Sequence, residues 1–149
     1  MSAKRTFWFV LLLLSFVLAA CGGGGAETAV SEPADTAPEA VIDAASLPDQ
    51  ISVETVHQIK DQDDVFVIDV REQEEYDEWH IPGVTLIPMS TFEQNMDQLP
   101  TDKEIIVTCN SGNRSGQVAD FLQQSGYTNI HNMEGGIRAW DEAGFETEK

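Results

Sequence analysis

Glu104 to Gly126 reads EIIVTCNSGNRSGQVADFLQQSG, and its two halves follow different periods. Glu104 to Thr108 (EIIVT) is short, apolar and β-branched, the composition of a central strand. Ser115 to Ser125 carries Val118, Ala119 and Leu122 at helical spacing, with Gly126 as the residue that stops the helix. Between them lies a loop of small residues with one cysteine, Cys109, and one arginine, Arg114. Strand, loop and helix in that order place Cys109 at the carboxyl end of a central strand, where open α/β sheets bind their ligands.

The flanking sequence repeats the alternation. Ile51 to Val53 reads as a short edge strand and Glu54 to Gln62 as a helix with Val56 and Ile59 inward. Val65 to Val70 (VFVIDV) is a continuous apolar run broken only by Asp69, as expected of a strand covered on both faces. Glu72 to Trp79 is an acidic helical segment ended by His80 to Gly83 (HIPG). Leu86-Ile87 reads as a brief strand, Thr91 to Leu99 as a short helix, Asn129 to His131 as a third candidate strand and Gly136 to Ala143 as a closing helix. This order predicts an α/β fold, a parallel sheet with helices on both faces.

Three readings are open for Cys109: a buried structural thiol, half of a disulfide, or a nucleophile. The residues after it favour the third. Gly112 permits a positive φ, so the loop can curl back over the sulfur. A curled loop that becomes a helix N-terminus turns several backbone N–H groups toward one point and forms a nest for an anion. Arg114 adds a fixed charge, and Ser115 a hydroxyl suited to capping the helix. Each feature lowers the thiol pKa from about 8.5 and enriches the thiolate.

The ends of the chain bear on the cysteine count. Lys4 and Arg5 precede the apolar run Phe7 to Leu18, which is too short to span a bilayer comfortably and reads as an export signal over residues 1–20. Leu18-Ala19-Ala20-Cys21, followed by Gly22, resembles the lipobox of bacterial lipoproteins. That resemblance implies a lipidated Cys21 and a chain held on a membrane, outside the cytoplasm, by its acyl groups. Residues 21–45 are rich in glycine, proline and carboxylates and read as a flexible acidic linker, so the folded domain is expected over 46–149. The chain has two cysteines, so a lipidated Cys21 leaves Cys109 without a disulfide partner.

Charge narrows the partners. With 8 basic and 26 acidic residues the chain carries −18, which disfavours nucleic acid and repels anionic substrates at long range. No metal site is indicated, because His57 and His131 stand alone and the Asp61, Asp63, Asp64 cluster lacks the glycine and terminal glutamate of a calcium loop. Asp69 and Arg71, at a strand end, are candidate supports of the site, with an ion pair of Arg71 to Glu75 or another neighbour as the structural alternative. His80 reads as a hydrogen-bonded turn residue and the Glu72–Glu78 run as a solvated helix face.

Three separated motifs carry a more specific resemblance. Val67-Ile68-Asp69-Val70-Arg71 with Glu75-Tyr76 and His80-Ile81-Pro82-Gly83, then Cys109-Asn110-Ser111-Gly112-Asn113-Arg114-Ser115, then Gly135-Gly136 with Trp140, together resemble the single-domain rhodanese family of sulfurtransferases. The resemblance runs from Ser46 to about Glu148. It implies that Cys109 accepts sulfur from a donor such as thiosulfate, forms a persulfide, and passes the sulfur to cyanide or a thiol without metal or organic cofactor. It also implies that the backbone from Asn110 to Ser115 cradles the persulfide and that Arg114 orients the anion. Cysteine phosphatases and arsenate reductases on a similar fold use C-x5-R, one residue longer than the spacing here. An envelope module that carries or binds sulfur without turnover is the alternative. Asn110 departs from the basic residue that many thiosulfate-using members carry after the cysteine.

Overall fold

The structure is a computed structural model, and it describes residues 42–149. The expected signal segment and Cys21 lie outside the described residues, as does most of the linker. The elements are β1 (Gln50–Ile51), α1 (Val53–Ile59), β2 (Val65–Asp69), α2 (Gln73–Glu78), β3 (Thr85–Leu86), β4 (Glu104–Thr108), α3 (Asn113–Gln124), β5 (Ile130–Met133) and α4 (Gly136–Glu142), with 3-10 turns at Ala44–Ser46 and Met89–Gln98. All strand pairs are parallel, in the order β1-β5-β4-β2-β3.

The two central strands, β2 and β4, pair from Val65 opposite Glu104 to Asp69 opposite Thr108. Their side chains alternate between two separate cores. Val65, Val67 and Ile106 join Val56 and Ile59 of α1 and Ile137 and Trp140 of α4 on one face. Ile68, Val70, Ile105, Val107 and Cys109 join Val118, Ala119 and Leu122 of α3 on the other. A sheet covered on both faces has no solvent side, which is why β2 and β4 read as continuous apolar runs. Each isoleucine fully buried here contributes about 1.5–3 kcal/mol.

Several boundaries differ from the sequence reading, each for a local reason. Ser52 is the N-cap of α1, its hydroxyl accepting from the Thr55 N–H at 3.3 Å, so Val53 starts a helix and does not end a strand. Helix α3 begins two residues earlier than expected, because Gly112 caps it at φ 88° and its carbonyl accepts the Gly116 N–H at 3.0 Å. The expected helix over 91–99 is a run of 3-10 turns. Packed chain also starts before Ser46: Ala44 is buried and Ile42 lies against the same core. Gly126 ends α3 as expected, in a Schellman arrangement in which its N–H reaches the Gln123 carbonyl and the Tyr127 N–H the Leu122 carbonyl.

The topology creates one crevice. The chain leaves β2 through α2 toward β3, and leaves β4 through α3 toward β5, in opposite directions along the sheet. Tyr76 and Trp79 of the α2 segment pack on one core and α3 on the other. Between the carboxyl ends of β2 and β4 the connections therefore part, which is where ligands bind in such sheets.

Candidate active site

Cys109 follows the last residue of β4 and is 1% exposed. Its Sγ accepts the Gly112 N–H at 3.2 Å and lies 3.4 Å from the Ser115 hydroxyl, which is itself buried. Burial pushes the thiol pKa up, but the Ser115 hydroxyl and the backbone N–H groups of Ser115, Ser111 and Gly112 outweigh it, so the net shift is down. Ser115 is in the first turn of α3 and does not cap it. The earlier helix start turns its hydroxyl toward the sulfur.

The loop is held from below by α4. The Ile137 N–H donates to the Cys109 carbonyl at 2.8 Å and the Arg138 N–H to the Asn110 carbonyl at 3.2 Å. These are first-turn donors with no partner inside their own helix, so the free end of α4 is satisfied by the loop. The approach is so close that a Cβ on Gly136, at φ 62°, would overlap the Cys109 carbonyl and stand 2.7 Å from the Asn110 carbonyl carbon and the Ser111 nitrogen. From β5, the Asn132 side chain donates to the Gly112 carbonyl at 3.2 Å and to Gln50 Oε1 at 2.8 Å, tying the start of α3 to the sheet edge.

Arg114 is held by a carboxylate rather than by the sulfur. Its two terminal nitrogens each donate to a Glu75 carboxylate oxygen at 2.6 Å, a bidentate pair across the mouth of the crevice. The hydrogen bond from Arg114 holds the Glu75 carboxyl below the usual carboxylate range. Glu75 in turn raises the Arg114 pKa further, with smaller additions from Cys109 and Asp69. The reading of the whole Glu72–Glu78 run as a solvated face is corrected here. Glu75 crosses to the active loop, and Glu72 accepts the Ser90 hydroxyl at 2.7 Å while completing a capping box with Glu75.

Asp69 and Arg71 form a different unit. Both are buried, paired at 2.7 Å, with the Arg71 Nε–H donating to both Asp69 oxygens. The other end of the guanidinium donates to the Glu75 and Trp79 carbonyls at 3.2 and 2.9 Å. The ion-pair partner of Arg71 is thus Asp69, and only the backbone of Glu75 is engaged. Arg71 supports the site at one remove, by fixing the helix that carries Glu75. His80 is the expected turn residue, its Nδ1 3.0 Å from the Tyr76 carbonyl and its ring stacked on Tyr76. His131 is also structural: it is buried between the Pro48 carbonyl at 2.8 Å and Glu104 at 2.9 Å.

Of the loop residues named from the sequence, Ser111, Gly112 and Ser115 converge on the Cys109 sulfur through backbone or hydroxyl groups. Asn110 contributes its carbonyl to α4, and Asn113 opens α3 on the exposed side. Sequence reasoning named Glu75 only as a possible partner of Arg71 and within the resemblance, not as the partner of Arg114, and it missed Asn132. The pairing of Glu75 with Arg114 carried no local signal, since the two lie 39 residues apart. Asn132 carried none either, since its partners are 82 and 20 residues away.

Comparison with known proteins agrees with this geometry. A family model described as "Rhodanese-like domain" matches residues 52–143. The chain is 34% identical over 97 residues to a "Sulfurtransferase" of Allochromatium vinosum, covering 64% of this chain and 91% of that one. It is 39% identical over 98 residues to the "Putative sulfur carrier protein YrkF" of Bacillus subtilis, covering 65% of this chain but only 52% of that longer protein. Among solved structures, a rhodanese-related protein of Thermoplasma volcanium superposes with TM-score 0.61 at 33% identity, covering 68% of this chain and 98% of that one. A rhodanese-like domain protein of Staphylococcus aureus gives 0.59 at 29% identity, with 68% and 100% covered. With its parallel sheet, its crevice and the family model in agreement, the chain belongs to the rhodanese-like domain family.

Proposed function

We propose that Cys109 moves sulfane sulfur, taking it from a donor such as thiosulfate and giving it to a thiophilic acceptor such as cyanide or a thiol. The observation that carries this reading is the convergence of the Gly112 N–H and the Ser115 hydroxyl on a buried Sγ whose pKa is lowered. In the first half-reaction the thiolate attacks the outer sulfur of the donor. The new bond joins Sγ to that sulfur, the donor's sulfur–sulfur bond breaks, and the electron pair leaves on sulfite when thiosulfate is the donor. The persulfide anion that remains sits in the same ring of donors, which stabilises charge that water reaches poorly. In the second half-reaction the acceptor attacks the outer sulfur and the Cys109 thiolate is the leaving group.

Four residues between Cys109 and Arg114 make a small ring, and its donors are already within 3.4 Å of one sulfur atom, which favours sulfur over a tetrahedral oxyanion. Steady-state kinetics with varied donor and acceptor test the reading. Parallel double-reciprocal lines, the mark of a ping-pong cycle, are expected with the native chain and no turnover with Cys109→Ser. Loading of one sulfur without turnover would instead place the chain in a carrier role.

We further propose that Cys21 is lipidated and that residues 21–45 tether the domain outside the cytoplasm. Retention of the native chain in the membrane fraction, and its release by Cys21→Ser, is the expected result. Equal partitioning of the two would contradict the anchor.

A further inference from the structure

We propose that Glu75 sets donor specificity: by occupying Arg114 it turns the Cys109 loop away from dianionic donors such as thiosulfate and toward organic persulfides of lower charge. This rests on the sulfur-transfer reading above and deepens it. Arg114 is the one cation of the loop, and both of its terminal nitrogens are spent on the Glu75 carboxylate at 2.6 Å. No second cation stands beside the sulfur in the loop itself, because the residue after Cys109 is Asn110. Arg71 is buried against Asp69, and Arg138, exposed on α4, lines a shallow pocket with Ser111 and Glu142 on the α4 side of the loop. Glu72 adds a second carboxylate at the same helix start, joined to Glu75 through the capping box. On the α2 side the loop therefore meets one matched ion pair, with the Glu72 carboxylate behind it on Ser90.

The two donor classes differ in what they bring to the mouth of the crevice. Thiosulfate arrives with two negative charges, and both leave on sulfite when the sulfur–sulfur bond breaks. An alkyl persulfide, R–S–S⁻, arrives with one. Its outer sulfur bonds to Sγ, its sulfur–sulfur bond breaks, and the electron pair leaves on the alkyl thiolate, which takes a proton from water. Removing the Glu75 carboxylate leaves Arg114 unopposed, and the attraction this releases scales with donor charge, so it aids the dianion more.

The test uses purified full-length protein with thiosulfate and with 2-hydroxyethyl persulfide, whose tail is uncharged, measuring kcat/KM for sulfur loading of Cys109. For a carboxylate about 6 Å from the donor in a water-like dielectric, Glu75→Gln should raise kcat/KM about tenfold for thiosulfate and about threefold for the persulfide. The ratio of the two thus moves about threefold toward thiosulfate, a change that altered folding alone would not produce. Glu75→Asp keeps the charge and should keep the native ratio. An unchanged ratio in Glu75→Gln, or a shift toward the persulfide, overturns the inference and leaves sulfur transfer intact. Loading of the native protein by neither donor contradicts the sulfur-transfer reading itself.

Discussion

Gly136 lies against the Cys109 carbonyl with no room for a side chain, so the helix that closes the fold and the loop that carries the nucleophile meet backbone to backbone. The contact lets two first-turn N–H groups of α4 reach the carbonyls of Cys109 and Asn110. Gly136→Ala should force the two apart and strain a φ of 62° besides. We expect a loss of about 2–3 kcal/mol in chemical denaturation, with sulfur loading reduced in the fraction that remains folded. The same substitution at Gly83, also at positive φ but with open space around it, should cost about 1 kcal/mol.

Ser115→Ala removes the hydroxyl that does most to offset the burial of the thiol. The Cys109 pKa should rise toward the ordinary value of about 8.5 or above it. Alkylation by iodoacetamide followed against pH checks this: the variant should react more slowly than the native protein below pH 8, with the two rates converging at alkaline pH. Coincident profiles would remove Ser115 from the site.

The lowered thiol pKa also makes a stability claim. Between the folded pKa and the higher unfolded one, the unfolded chain holds a proton on Cys109 that the folded chain lacks, so stability rises with pH through that window. The contribution is fully present above the unfolded pKa of about 8.5 and is lost as pH falls through the folded value. Denaturation midpoints of reduced native protein and Cys109→Ser, compared from pH 6 to 9, should therefore diverge in favour of the native chain as pH rises.

Arg71→Met leaves Asp69 buried without its partner and the Glu75 and Trp79 carbonyls without their guanidinium donor. Breaking a buried pair from one side costs about 3–5 kcal/mol. Asp69→Asn combined with Arg71→Met should recover part of that loss, read in the same denaturation assay. By contrast the Arg114–Glu75 pair is about one-third exposed on each side, and its removal should cost no more than about 1 kcal/mol.

Much of this architecture was legible in the sequence because burial on both faces leaves a plain trace. EIIVT and VFVID became β4 and β2 over the same residues, apart from Val70, which falls just past the strand. Cys109 stands where strand, loop and helix together placed it. Edges were harder to read. Two-residue strands such as β1 and β3 carry no periodicity, and the Ser52 cap, not the apolar Val53, decides where α1 begins. The long-range partners of the site were the least legible. Glu75 meets Arg114 across 39 residues, and nothing local distinguishes it from the acidic neighbours that face water.

The most direct test of the account is the intact mass of the full-length protein after incubation with excess sulfane sulfur donor and removal of small molecules. The expected product is heavier by one sulfur atom, which is lost on treatment with a reducing thiol and absent in Cys109→Ser. An unchanged mass with thiosulfate and with alkyl persulfide alike, or an adduct that survives in Cys109→Ser, would contradict it.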